Sequence, residues 1–170
     1  MASFQSKFNT DVAYAIPGTL HNPEFAETSQ KYMSDGTLMP GRFAFQDTAD
    51  KQLACLKKTG GKLLGMVLYT KSGYFVPPLE GNSTAYKKFC NVSIITRGAV
   101  NFILPESASG VTDGQSILCD PATGDITFGD AGTANDTGWV VEFFNNHDGS
   151  TAKAGDFVIA KCFGLDKKLA

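Results

Sequence analysis

From residue 41 onward the apolar residues fall into short runs separated by clusters of Gly, Pro, Asn, Asp and Ser at intervals of roughly ten residues. That is the rhythm of strands in a sandwich or barrel. The run "RFAFQ" (42–46) alternates, and "QLACLKK" (52–58) follows it after the turn Asp47-Thr48-Ala49-Asp50. Gly60-Gly61 then leads into "KLLGMVLYT" (62–70), and a two-glycine link predicts a tight hairpin between those two runs. "KSGYFVPP" (71–78) turns at Ser72-Gly73 and ends at Pro77-Pro78, which cannot continue a ladder. "CNVSIITRGAVNFILP" (90–105) reads as two strands meeting at Arg97-Gly98. "QSILC", "DITF", "GWVVEFF" and "DFVIAKCF" complete a set of about ten predicted strands, leaving hardly any room for helix.

The first forty residues break this rhythm. Phe4, Phe8, Val12 and Ile16 recur every four residues, as on a helix face, whereas Val12, Tyr14 and Ile16 alternate as on a strand. So many apolar side chains in a terminal segment need a surface to cover, either the protein's own core or a neighbouring subunit. The stretch from Pro17 to Pro40 reads as a long loop with at most one short helix, capped by Asn22 with Pro23 in its first turn. The predicted organisation is a loop-rich N-terminal segment over 1–40 and a single β-domain over 41–170. The fold class is all-β, a sandwich or barrel of jelly-roll type.

Composition supports this reading. A chain of 170 residues buries about 70% of the surface it exposes when unfolded, enough for one self-sufficient core. Its 13 Phe and 18 Gly suit strands and turns. The net charge of −2 provides no global basic field, so neither nucleic acid nor a membrane surface is an expected partner. The charge is uneven, with ten Lys/Arg against seven Asp/Glu in 1–90 and five against ten in 91–170. Cys55, Cys90, Cys119 and Cys162 form no Cys-x-x-Cys pair, and only two His are present, so neither a zinc site nor any other cofactor is expected. "MASFQSKFNT" has no apolar core of a signal peptide, and the four thiols are read as reduced, half-buried hydrophobes.

Five aspartates are the chief chemical temptation. Asp113, Asp120, Asp125, Asp130 and Asp136 stand five to seven residues apart with strands between them, whereas a calcium loop needs alternating oxygen ligands in one short segment. Asp120 opens a turn in which Pro121 presets φ and Gly124 supplies a positive φ, so "LCDPATGDITF" predicts a hairpin rather than an ion site. His21 and His147 both read as loop residues, and no nucleophile elbow or phosphate-binding glycine loop accompanies them. No catalytic residue is assigned.

Five short motifs, in order, are Gly41-Arg42-Phe43, Gly65-Met66-Val67-Leu68, Arg97-Gly98-Ala99-Val100, Val111-Thr112-Asp113-Gly114-Gln115 and Asp120-Pro121-Ala122-Thr123-Gly124. Together they resemble the structural cement proteins of tailed bacteriophages over roughly residues 10–163. The stretches 73–89 and 130–138 depart from that pattern. The resemblance implies a non-enzymatic jelly-roll-type protein assembled in the host cytoplasm. It would sit as a dimer or trimer on the outside of an icosahedral head and bridge major capsid protein subunits after expansion.

Binding physics then selects candidate contact residues. Phe4, Phe8, Val12 and Tyr14 are aromatic and apolar anchors on the N-terminal segment. Lys57, Lys58 and Lys62 flank the Gly60-Gly61 turn, and Arg97 lies at a turn of its own, all suited to an acidic surface. The alternative function is a head-surface module that binds a host carbohydrate or receptor.

Overall fold

The computed structural model describes residues 16–70, 85–144 and 150–162. Nine strands are found among them: β1 (Leu20–Ser34), β2 (Phe43–Gln46), β3 (Leu53–Cys55), β4 (Leu63–Val67), β5 (Asn91–Ile103), β6 (Ser116–Cys119), β7 (Ile126–Gly129), β8 (Asp136–Glu142) and β9 (Phe157–Cys162). The described residues contain no helix. Their order is β1-β3-β2-β4-β5-β9-β8-β6-β7, and β1 pairs a second time with β5. The first five strands therefore close into a ring, and β9, β8, β6 and β7 extend from β5 as an outer layer. This is the all-β, barrel-like architecture that the spacing of runs and turns predicts.

Two apolar clusters explain why the ring strands read as nearly continuous hydrophobic runs. On one face Phe43, Phe45, Met66, Ile95 and Val100 pack against Ile117, Trp139, Val141, Val158 and Ala160 of the outer layer. On the other, Ala44, Ala54, Leu64, Val67, Val92 and Ile94 pack with Leu38 and Tyr86. "RFAFQ" does not alternate between core and solvent, because Phe43, Ala44 and Phe45 are all buried. Strands covered on both sides lose the polar positions that mark a half-exposed strand. Trp139 and Phe43 join the layers edge to face at 6.1 Å between centroids. "GWVVE", the first part of the predicted run, lies in β8, which is central between β6 and β9 and has Thr137, Trp139 and Val141 buried.

Three local expectations are corrected. Residues 20–34 form no helix; they are β1, whose ladder with β5 slips so that Asn22 pairs with Ala99 and Glu27 with Arg97. Four residues, 23–26, bulge out between those pairs, and Pro23 lies among them, where its missing N–H costs no ladder bond. The turn at Gly60-Gly61 exists, closed by the Gly61 N–H donating to Lys58 O at 2.9 Å, but it joins no hairpin. β2 lies between β3 and β4 and pairs antiparallel with both, so the hairpins that form are β2–β3 and, across a longer connection, β2–β4.

The third correction concerns 90–105. The structure has one thirteen-residue strand, β5, instead of two meeting at Arg97-Gly98. Its N-terminal half pairs with β4 and its C-terminal half, from Gly98, with β9, while β1 runs along the other edge. Gly98, at φ 132, marks the exchange of partners; a Cβ there would lie 2.9 Å from Ile95 Cδ1 and 3.2 Å from the Ala26 Cα. The turn signal was real, but it bends a strand without ending it.

The turn at 120–125 forms as its residues dictate. Ser116–Cys119 and Ile126–Gly129 pair antiparallel, Asp120 N–H donates to Asp125 O at 3.0 Å, the Asp120 carboxylate accepts the Ala122 N–H at 2.8 Å, and Gly124 has φ 77. Asp47 and Asp50 cap their turn likewise, accepting the N–H groups of Ala49 and Gln52.

Candidate functional site

The anchors Phe4, Phe8, Val12 and Tyr14 lie outside the described residues, as does His147. What the structure shows is where the N-terminal segment meets the body. Gly18 N–H donates to Asn101 O and Gly18 O accepts the Tyr69 N–H, both at 2.8 Å. Buried Asn101 donates through Nδ2 to Thr19 Oγ1 at 2.9 Å, and its Oδ1 lies 3.2 Å from His21 Nδ1. His21 is thus a residue of β1, packed edge-on against Phe144 at 5.5 Å, and not a loop histidine. Beside this root Ile16, Pro17, Met39, Pro40, Tyr69 and Ile103 line a hollow of about 260 Å³.

The four cationic candidates do not form one patch. Lys58 is held within the molecule: its Nζ lies 3.0 Å from Asp47 Oδ1, and its N–H donates to Pro121 O at 2.6 Å, tying the loop to the β6–β7 hairpin. The Ala49 N–H first, and the Lys58 ammonium next, hold the Asp47 carboxyl below its ordinary value. Lys57 and Lys62 are exposed. Lys62 lines a groove of about 360 Å³ together with Ser29, Lys31, Tyr32 and Thr96. Arg97, next to Thr96, lies on the outside of β5 with Nη1 3.2 Å from Glu27 Oε1; both side chains are largely exposed, so the pair contributes little stability.

Sequence reasoning missed three surface residues. Phe25 is 64% exposed in the β1 bulge, Phe89 is 61% exposed, and Lys31 lines the same groove as Lys62. Phe89 holds φ 63, rare for an aromatic residue, with its N–H donating to Ser34 O at 2.7 Å. Pro23-Glu24-Phe25 could have marked an irregular strand; Phe89 carries no local signal at all.

The aspartates serve the turns and strand ends in the structure too, Asp136 as the first residue of β8. Asp113 accepts the Phe143 N–H at 2.7 Å, and Asp136 accepts those of Gly132 and Gly138 at 2.8 Å. Among the described residues no three His, Cys, Asp or Glu side chains converge as metal ligands.

The profile of the structural cement protein family (E217 gp24/Pam3 gp6) matches residues 4–161. The chain belongs to the phage structural cement protein family. A chain from the structure described as the capsid of Myoviridae phage XM1 has the same fold, with a TM-score of 0.56 at 13% identity over 94% of this chain and 97% of that one. A comparison with curated protein sequences gives no match. Cement proteins are structural and non-enzymatic, so the surface just described belongs to a virion-associated protein that stabilises a phage capsid.

The thiols of this cement protein are suited to packing. Burial, and then the Asp120 charge, push the Cys119 thiol up to about 12; burial, then Asp35 and Asp47, push Cys55 up to about 11. A folded pKa above the unfolded value of 9.0 means that the stabilisation is complete below pH 9 and is lost as pH rises towards 12. Urea midpoints measured from pH 8 to 10.5 should therefore fall more steeply for the parent than for Cys119→Ala; superimposable pH curves would remove Cys119 from the account.

Proposed function

We propose that this cement protein binds the outer surface of an icosahedral head, as a dimer or trimer, and bridges adjacent major capsid protein subunits after the shell expands. The observation that carries this reading is the exposure of Ile16 (53%), four residues before β1, and of Phe25 (64%) in the β1 bulge, on a chain of the phage structural cement family. Large apolar side chains left on a surface are anchors for a partner. The first forty residues supply that contact in this proposal, with β1 fixing its root on the ring and Phe4, Phe8, Val12 and Tyr14 extending it. Exposed Lys57 and Lys62, and Arg97 beside its carboxylate, form the polar rim, whereas Lys58 is already engaged with Asp47. A jelly-roll relationship, with β5 shared between two packed layers, belongs to the same proposal, as does assembly in the host cytoplasm.

The mechanical logic needs no chemistry. A filled head is loaded outward, and an interface of about 1,600 Å² across a subunit junction adds free energy that rupture must overcome, repeated at every symmetric copy. Expanded heads saturated with the protein should survive heating several degrees beyond heads lacking it, scored by release of packaged DNA. Equal survival curves at demonstrated saturation would refute the bridging role.

A further inference from the structure

The groove that holds Lys31 and Lys62 forms where β1 and β4 both part from β5. One extra residue lies between Ser29 and Tyr32 of β1, which pair with Ile94 and Val92 of β5, and a bulge of this kind re-aims its side chains. The ladder of β4 with β5 is confined to Met66 and Val67, so Leu63 and Leu64 border the opening. Its floor is apolar: Leu64 belongs to the second cluster, Tyr32 packs on that cluster, and Leu63 packs on the first. Both lysines are exposed, and neither takes part in an ion pair among the described residues. Lys31 Nζ stands 5.2 Å from the centre of the Tyr32 ring, which holds one charge at the groove wall.

Charge and shape together select the occupant. No carboxylate is among the residues that line the groove, and Glu27, whose carbonyl accepts the Thr96 hydroxyl, has its carboxylate 3.2 Å from Arg97. Concave walls of low dielectric focus the field of two uncompensated cations. No arginine lines the groove either, so the fork that clamps a phosphate is missing. Two point charges above an apolar floor suit carboxylates on aliphatic stems instead, with the Ser29 hydroxyl as a further donor. We propose that this groove docks an extended acidic segment of another protein, its carboxylates on Lys31 and Lys62 and the stems of its glutamates on Tyr32 and Leu63. The chain as a whole carries −2, so an acidic segment gains nothing from the average field and must find this groove. Lys62 also stands in the rim of the head-binding surface proposed above; the test is run without heads, so that either reading can fail alone.

The test titrates the full-length protein, at low salt, with acetylated, amidated Glu-Leu-Glu-Leu-Glu and with its Gln-Leu-Gln-Leu-Gln counterpart. The amide signals of Ser29, Lys31, Tyr32 and Lys62, read by NMR, should shift saturably with the acidic peptide and stay in place with the neutral one. The Lys31→Gln/Lys62→Gln variant should keep the parental urea midpoint and bind the acidic peptide about tenfold more weakly. Lys153→Gln, which alters an exposed lysine outside the groove, should leave binding within about twofold of the parent. No saturable shift, equal shifts with both peptides, or undiminished binding by the double variant would overturn the proposal. Equal weakening by Lys153→Gln would reduce the effect to general charge attraction and remove the site. Displacement of the peptide by inorganic phosphate at equal concentration would contradict the assigned partner chemistry.

Discussion

Gly65→Ala is expected to destabilise the protein by about 2–4 kcal/mol, more than any surface change to this chain. Gly65 has φ 134, and a Cβ built on it would lie only 2.1 Å from the Ile95 carbonyl oxygen and 3.0 Å from the Ile95 carbonyl carbon. The obstacle is backbone, in the neighbouring strand of the same ring, so no rotamer change relieves it. β4 must draw away from β5, or the bulge at Leu64, where its ladder with β2 steps from Ala44–Gly65 to Phe45–Leu63, must flatten; either disturbs both cores, because Leu64 and Met66 on the two sides of Gly65 belong to different clusters. Gly60→Ala is the control: its φ of 72 is also left-handed, but nothing lies within 4 Å of the added carbon. Conformational strain alone then costs about 1 kcal/mol. Equal urea midpoint shifts for the two variants would show that close approach to Ile95 does not shape the ring.

The second large effect is functional. Deleting residues 1–15 should leave the urea midpoint of the body unchanged and weaken binding to expanded heads at least about 100-fold, because three aromatic anchors, Phe4, Phe8 and Tyr14, are removed. The cut is placed before Ile16 because Ile16 O accepts both the Thr19 N–H and the Thr19 hydroxyl, and Gly18 is pinned to Asn101 and Tyr69. A truncated protein that unfolds would show that the segment completes the core. One that folds and binds with parental affinity would place the contact elsewhere.

The parts of the fold legible in the sequence are those decided by neighbours along the chain. Asp120-Pro121-Ala122-Thr123-Gly124 contains its own cap, preset φ and positive φ, so its hairpin follows whatever surrounds it. The same holds for Asp47 to Asp50. What could not be read was decided between distant segments. β3 and β4 are joined by an adequate turn, but β2 enters between them, and that choice rests on the burial of Phe43, Ala44 and Phe45 on both faces. Residues 20–34 lack a strand pattern because their partner is the outer edge of β5 and their ladder bulges at Pro23.

The same distinction explains the site. Lys58 and Arg97 were identifiable as cations, but their carboxylate partners are Asp47, eleven positions earlier across a ring strand, and Glu27 on a strand that was not foreseen. Lys31 shares a groove with Lys62 only once β1 exists. Membership of the cement family was legible because it rests on the order of short turn motifs along the chain, which is a property of sequence and not of contact.

The most direct test of the account is co-sedimentation of the full-length protein with expanded heads that lack it, alongside unexpanded shells. Saturable binding to expanded heads alone is expected, with a stoichiometry that identifies the symmetry site. Equal binding to both forms would contradict a role tied to expansion. Binding to neither would contradict the cement role and turn attention to the host-carbohydrate reading.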